Sequence, residues 1–430
     1  MESASLKHHV TMKKITFILT ILISLTSYAQ SPCSSGRYAN DVFTNFTVTS
    51  DIIYGQNNTW SGANNQLKLD FYEPTGDTEL ARPLIIWVHG GSFIGGSKTD
   101  NDVKTWSESF AKKGYVCASI DYRLGFFPFD SANAVKAVVR AVQDLKGAIR
   151  YFYKDGQTTN LYKVDTNHIF IGGSSAGAIT ALHVAYLDDP CEISDYLNAS
   201  TINTLGGLEG NSGNPGYSTK VHAVINGCGA LARYSWLEAG DVPMCAVHCP
   251  TDPVATYTTG DVSIASIGLV TTDISGSYDV MKKANLLGNN AILNVTNACT
   301  DPYTTAAAAA SANAQGMTIA NATDTVNQIV GAPVDNVFPF ITVNPYEASP
   351  WDFWDSTMTV NIAQAMGLPA AQGTAAHNSN IAQNPDMSYS KSMAYIDSTL
   401  DYFCRRIVRV TNLNGAIASN VAVPNGVVMI

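Results

Sequence analysis

The stretch Asn167–Gly177, NHIFIGGSSAG, constrains this chain more than any other. An apolar, β-branched run (Ile169, Phe170, Ile171) stops at Gly172-Gly173. Ser174, Ser175, Ala176 and Gly177 follow, and small or apolar residues (Ala178, Ile179, Ala181, Leu182, Val184) then recur on one helical face. The pattern predicts a strand, a sharp turn and a helix, with Gly173-x-Ser175-x-Gly177 at the turn. A residue on such a turn has a strained backbone, so the positions two before and two after must lack side chains. Ser175 is therefore expected to present its hydroxyl at a helix N-terminus, where the amide of Ala176 can meet negative charge developing on an oxygen.

The surrounding chain alternates buried strands with amphipathic helices. Gln66–Tyr72 alternates apolar and polar residues, as a half-buried strand does, whereas Pro83–Val88 is a continuous apolar run. Tyr115–Tyr122, Val221–Ile225, Pro243–Val247 and Ala291–Val295 read as further strands. Helical spacing is found over Thr105–Lys113, residues 132–153, Ser275–Leu287 and Ser388–Arg406. Such alternation predicts an α/β fold, a mostly parallel sheet covered on both faces, with its chemistry at the carboxyl ends of the strands. Residues 31–66 read as a meander. The pattern lapses from Thr296 to Ala376, where an alanine run and an aromatic stretch (Phe338 to Trp354) predict a packed lid ahead of His377. Val408–Ile430 reads as a β-prone tail.

A net charge of −10 leaves nucleic acid and anionic membranes without an attractive surface. Met12-Lys13-Lys14, the apolar Ile15–Leu25 and the small-x-small Ser27-Tyr28-Ala29 read as a signal peptide over residues 1–29. Export and a catalytic domain over 30–407 are thus expected. The apolar run is too short for a stable membrane span. Eight cysteines in an exported chain allow disulfides whose connectivity stays open. No C-x-x-C, H-E-x-x-H or phosphate-binding loop occurs, so no metal or cofactor is expected. The sequence does not speak to oligomeric state.

A serine hydroxyl needs a base, and the base a third group to hold it. Asp252, in a proline-flanked turn after a buried strand, is the candidate acid, with Asp241 and Asp261 as alternatives. With the order Ser, acid, His, only His377 lies beyond Asp252 among eight histidines. His377 is expected in a polar loop, approached closely across Gly373. The His89-Gly90-Gly91 turn can aim main-chain amides at the same oxygen as Ala176, with His89 pinning the loop. Phe93, Ser174, Trp351 and Trp354 are candidates for substrate contact, although core packing is the commoner duty of buried aromatics.

His89-Gly90-Gly91-Ser92-Phe93, Asp121-Tyr122-Arg123-Leu124, Gly173-Ser174-Ser175-Ala176-Gly177 and His248–Pro253 together resemble the secreted carboxylesterase/lipase branch of the α/β-hydrolases. The resemblance covers roughly residues 65–295 and 373–406. It implies Ser175 as nucleophile, Asp252 as acid, His377 as base, and Gly90, Gly91 and Ala176 as oxyanion donors. The substrate would be a small or polymeric ester. Polyesters, feruloyl or acetyl polysaccharide esters, a peptidase or thioesterase activity, and a non-catalytic binding module are the alternatives. Cys249 stands where relatives commonly carry glycine before the acid, which suggests a disulfide with Cys299.

Overall fold

A computed structural model describes residues 36–411, apart from 265–267, 295–300, 320, 323–325, 343, 345, 346 and 366. The expected signal peptide, Cys33, Cys299 and the tail beyond 411 lie outside the described residues. In chain order the elements begin with β1 (Phe46–Asn58), β2 (Asn64–Pro74), β3 (Arg82–Val88), α1 (Asn101–Lys112), β4 (Val116–Ile120), α2 (Ser131–Gln157), β5 (Val164–Ser174), α3 (Ala176–Tyr186) and α4 (Ala199–Leu205). They continue with β6 (Ala223–Gly227), β7 (Ala230–Leu231), β8 (Met244–His248), β9 (Thr259–Ile264), β10 (Gly268–Gly276), α5 (Ser277–Leu286), α6 (Pro302–Ala314), β11 (Val337–Pro339), α7 (Ser356–Ala365), α8 (Ala370–Gln383) and α9 (Tyr389–Thr411).

Eight strands form one sheet in the order β1-β2-β4-β3-β5-β6-β8-β11. β1 and β2 enter antiparallel, and from β4 through β11 every pairing is parallel. The continuous apolar run of β3 explains its central place. Leu84, Ile86 and Val88 face one core with Val142, Leu145 and Ile149 of α2, while Ile85 and Trp87 face the other with Val103, Trp106 and Phe110 of α1 and Ile396 and Leu400 of α9. Period-two alternation thus fills two cores from one strand, so no polar face is needed. Trp106 Nε1 donates to Thr399 Oγ1 at 2.8 Å, so α9 is held by a hydrogen bond as well as by packing.

Several expectations are corrected. Ala291–Leu293 is a single 3-10 turn, and the eighth strand is instead β11, inside the stretch expected to be wholly a lid. α6 and β11 belong to the body of the domain. α9 continues through Thr411, so 408–411 is buried helix and not β-prone tail. A second, three-stranded sheet, β7-β10-β9, was not expected at all. Cys117, Cys191, Cys228, Cys245, Cys249 and Cys404 are free thiols, so the Cys249 disulfide is not formed.

Candidate active site

The sharp turn expected at Ser175 is present. β5 ends at Ser174, α3 starts at Ala176, and Ser175 between them has φ 50° and ψ −118°. A positive φ at a non-glycine residue persists only where its surroundings enforce it. Here the Ser175 amide donates to Gly227 O at 2.7 Å, and its carbonyl accepts from Ile179 N at 2.9 Å. The flanking glycines answer to close approach. A Cβ on Gly173 would collide with the carbonyl oxygen of Val88, and one on Gly177 with that of Val88 and, at 2.7 Å, of His89. The end of β3 and the elbow are therefore pressed together backbone to backbone.

That contact brings in the His89-Gly90-Gly91 turn. A Cβ on Gly90 would lie 3.4 Å from the Cβ of Ser175, so the Gly90 main chain runs alongside the serine. Gly91 has φ 102°. His89 is fully buried and pins the turn. Its Nδ1 donates to Gly90 O at 2.7 Å, and its ring stacks on Tyr122 with centroids 4.4 Å apart. Burial holds the imidazole well below its usual pKa, so it stays neutral.

The Asp121-Tyr122-Arg123 motif braces this arrangement without touching the reacting atoms. Asp121 Oδ1 accepts from Lys98 N at 2.8 Å, and Tyr122 Oη donates to the carbonyls of His89 and Gly90 at 3.2 and 3.3 Å. Arg123 Nε donates to Asp144 on α2 at 2.9 Å, and the Arg123 amide donates to the same carboxylate at 2.8 Å.

Two cavities share Ser92 beside the glycine turn. One, of about 100 Å³, is apolar and is lined by Ser175, Ala176, Phe93, Ile179 and, from the unexpected hairpin β9–β10, Val262 and Val270. The other, of about 450 Å³, lies between Gly90, Gly91, Asp100 and Asp102 on one side and Trp351, Trp354, Gly373 and Ala376 on the other. Phe93 and the two tryptophans thus border cavities, and Trp351 is also fully buried in the core. Ser174 lines neither cavity. Its Oγ accepts from Trp351 Nε1 at 2.9 Å and hydrogen-bonds the carboxyl of Asp102. Asp102, crowded by burial and by Asp100, has its pKa raised, and that of Asp352 is raised well above the usual range by burial and by Asp102 and Asp100.

The three candidate triad residues are not joined by hydrogen bonds in this structure. Ser175 Oγ has no hydrogen-bond partner among the described residues. Asp252 is buried and occupied: Oδ1 accepts from Val254 N (2.7 Å) and Ala255 N (3.0 Å), and Oδ2 lies 3.4 Å from His248 Nε2. His377 lies on helix α8 and not in a loop, and its buried Nδ1 has no partner. Gly373 serves helix packing, since a Cβ there would lie 2.5 Å from Val360 Cα on α7. Of the alternative acids, Asp241 accepts from Glu238 N at 2.7 Å in a turn, and Asp261 lies on β9. Sequence reasoning missed His248 as the neighbour of Asp252. Its position four residues earlier, at the end of a buried strand, was the available signal. Among the described residues no group of three or more His, Cys, Asp or Glu is placed to hold a metal ion.

Part of the chain is similar to known proteins. The family model BD-FAE matches residues 69–239, which run from β2 through the His89-Gly90-Gly91 turn and the elbow to the turn after β7. The matched stretch is thus similar to α/β-hydrolases of the carboxylesterase/lipase type. The chain is 27% identical over 143 residues to Gut esterase 1 of Caenorhabditis elegans, covering 33% of this chain and 24% of that protein. It is 30% identical over 118 residues to Quorum-quenching protein AidA of Acinetobacter baumannii, covering 27% and 35%. Other matches include carboxylesterases and lipases. The matched stretches span about a third or less of those relatives' length. Among solved structures, the apo form of Thermogutta terrifontis esterase 2 is similar with a TM-score of 0.38 and 22% identity, covering 50% of this chain and 75% of that chain.

Proposed function

We propose that this α/β-hydrolase cleaves carboxylic esters through an acyl-enzyme on Ser175. Ser175 Oγ attacks the ester carbonyl as His377 takes its proton, and Asp252 holds the imidazole. The alcohol leaves with that proton, and water deprotonated by His377 releases the acid. The amides of Ala176, Gly90 and Gly91 face the oxyanion, where loss of one donor typically costs about 3 kcal/mol of transition-state stabilisation. The observation that carries this reading is the strained backbone of Ser175, enforced by glycines packed against the end of β3. An ordinary serine in a turn has no need of such strain. His377 is supported by being the sole histidine after Asp252 and by its neighbour Ala376, which lines the cavity that Gly90 and Gly91 also line. The working arrangement needs Asp252 and His377 to turn toward each other from the positions they hold here. Export is part of the same proposal and rests on the Met12–Ala29 pattern.

The test is hydrolysis of 4-nitrophenyl butanoate by wild type, Ser175→Ala, His377→Ala and Asp252→Asn. Losses of at least about 10³-fold in kcat are expected for the first two variants. A near wild-type rate for Ser175→Ala ends the reading. Retention by His377→Ala alone removes that residue from it.

A further inference from the structure

In the cavity of about 100 Å³ beside Ser175, the imidazole and the phenol of the wall are already engaged. His183 lies in the wall, yet its Nδ1 donates to Ile179 O at 2.7 Å and its Nε2 accepts from Ala232 N at 3.3 Å. Burial pushes its pKa down to about 4, so the ring is neutral and offers carbon surface. Tyr196 Oη donates to Ala232 O at 3.4 Å. Most of the rest is aliphatic or aromatic, with Ser92 and Thr271 as further hydroxyls in the lining. A hydroxyl or amide carried into this space gives up water for few available partners, whereas a hydrocarbon gives up nothing.

Resting on the ester-hydrolase reading above, we propose that this cavity is the acyl subsite and selects unsubstituted aliphatic acyl groups of about four to six carbons. An apolar cavity of about 150 Å³ holds benzene, which sets the scale for that length. The β9–β10 hairpin is the length-setting element. Val262 and Val270 stand on facing strands of it, pack on the main core and line the cavity. The hairpin lies outside the eight-stranded sheet, so its side chains can change without touching the elbow.

The test uses the full chain and 4-nitrophenyl acetate, butanoate, hexanoate, dodecanoate and 3-hydroxybutanoate. Wild-type kcat/KM is expected to rise roughly fourfold per methylene from two carbons to about four to six, the factor that burial of one CH₂ corresponds to, and then to fall. The 3-hydroxybutanoate ester is expected at least about tenfold below butanoate. Val262→Phe and Val270→Phe should each lower the butanoate-to-acetate ratio about tenfold or more. The double variant V262A/V270A should move the optimum to longer chains, and thermal melts will establish that each variant is folded. Acyl-length ratios unchanged in the folded variants overturn the proposal. If that happens while Ser175→Ala still abolishes hydrolysis, only the subsite assignment is lost. If Ser175→Ala is active, the underlying ester-hydrolase reading fails instead.

Discussion

His248 Nε2 lies 3.4 Å from Asp252 Oδ2 and 3.1 Å from Ala255 O, while its Nδ1 lies 2.7 Å from Ser277 Oγ on α5. Nε2 faces only acceptors, so it carries the hydrogen. The last residue of β8 thus clamps the turn that holds the candidate acid. His248→Ala leaves a buried carboxylate oxygen and a carbonyl without their donor, at a cost of about 1–3 kcal/mol. The expected outcome is a lowered Tm together with a fall in kcat of about tenfold, with KM little changed, because Asp252 loses its seat. His248→Gln, which can still donate, should recover part of both. A variant that loses stability but keeps kcat would make the clamp purely structural.

The glycines of the elbow and of the proposed oxyanion turn should fail in different ways. Gly177→Ala drives a Cβ into the main chain of Val88, which cannot withdraw without breaking β3 from β5. Soluble folded protein is expected to be lost, at a cost of more than about 3 kcal/mol. On Gly90 the new Cβ would meet Ser174 O at 3.2 Å and Ser175 Cβ at 3.4 Å, a tight but tolerable approach. Gly90→Ala is expected to fold and to lose about 10²–10³-fold in kcat by displacing an oxyanion donor. Circular dichroism and ester hydrolysis on the two proteins separate these outcomes.

The parts of the site legible in the sequence are those that demand rare residues. Gly173 and Gly177 are needed because backbones touch there, and a continuous run such as Leu84–Val88 is needed because both faces of β3 are buried. The parts that escaped demand little. The β9–β10 hairpin is built from Thr, Ser, Asp and Gly with exposed positions along β10, so its alternation is faint. β11 is an edge strand of three residues, and its place comes from pairing with β8 alone. The helix carrying His377, AAQGTAAHNSNIAQ, has no apolar stripe. Its alanines were the signal, since they favour helix with no core to face. Asp252 was legible as a turn acid, but its partner depends on where β8 ends relative to α5, a tertiary fact.

Asp144 anchors a motif that carries no chemistry of its own. Its carboxylate receives the side chain and amide of Arg123 and, at 2.5 Å, the hydroxyl of Ser212, all buried. Asp144→Ala leaves the Arg123 guanidinium buried without its counter-charge, and a loss of about 3–5 kcal/mol is expected in urea unfolding. Because Tyr122, the next residue, holds the carbonyls of His89 and Gly90, any folded remainder should also show reduced kcat. A stability loss below about 1 kcal/mol would show that water replaces the carboxylate at this position.

Asp102 makes stability depend on pH in the direction opposite to most carboxylates. Its pKa is raised by burial and then by Asp100, while the Val103 amide and Ser174 hydroxyl pull the other way, and Asp352 adds a further acidic group to the same cluster. The folded chain therefore holds this proton at pH values where the unfolded chain has released it. Stability from this group is fully present below the unfolded value of about 4 and is lost as pH rises through the raised folded value, with a slope of at most about 1.4 kcal/mol per pH unit. Asp102→Asn keeps an acceptor for Val103 N and removes the titration. The variant is expected to melt at the same temperature as wild type near pH 4 and several degrees higher near pH 8. Urea unfolding at a series of pH values measures the difference directly. Parallel curves for the two proteins across that range would mean that Asp102 ionises in the folded chain as freely as it does in the unfolded one.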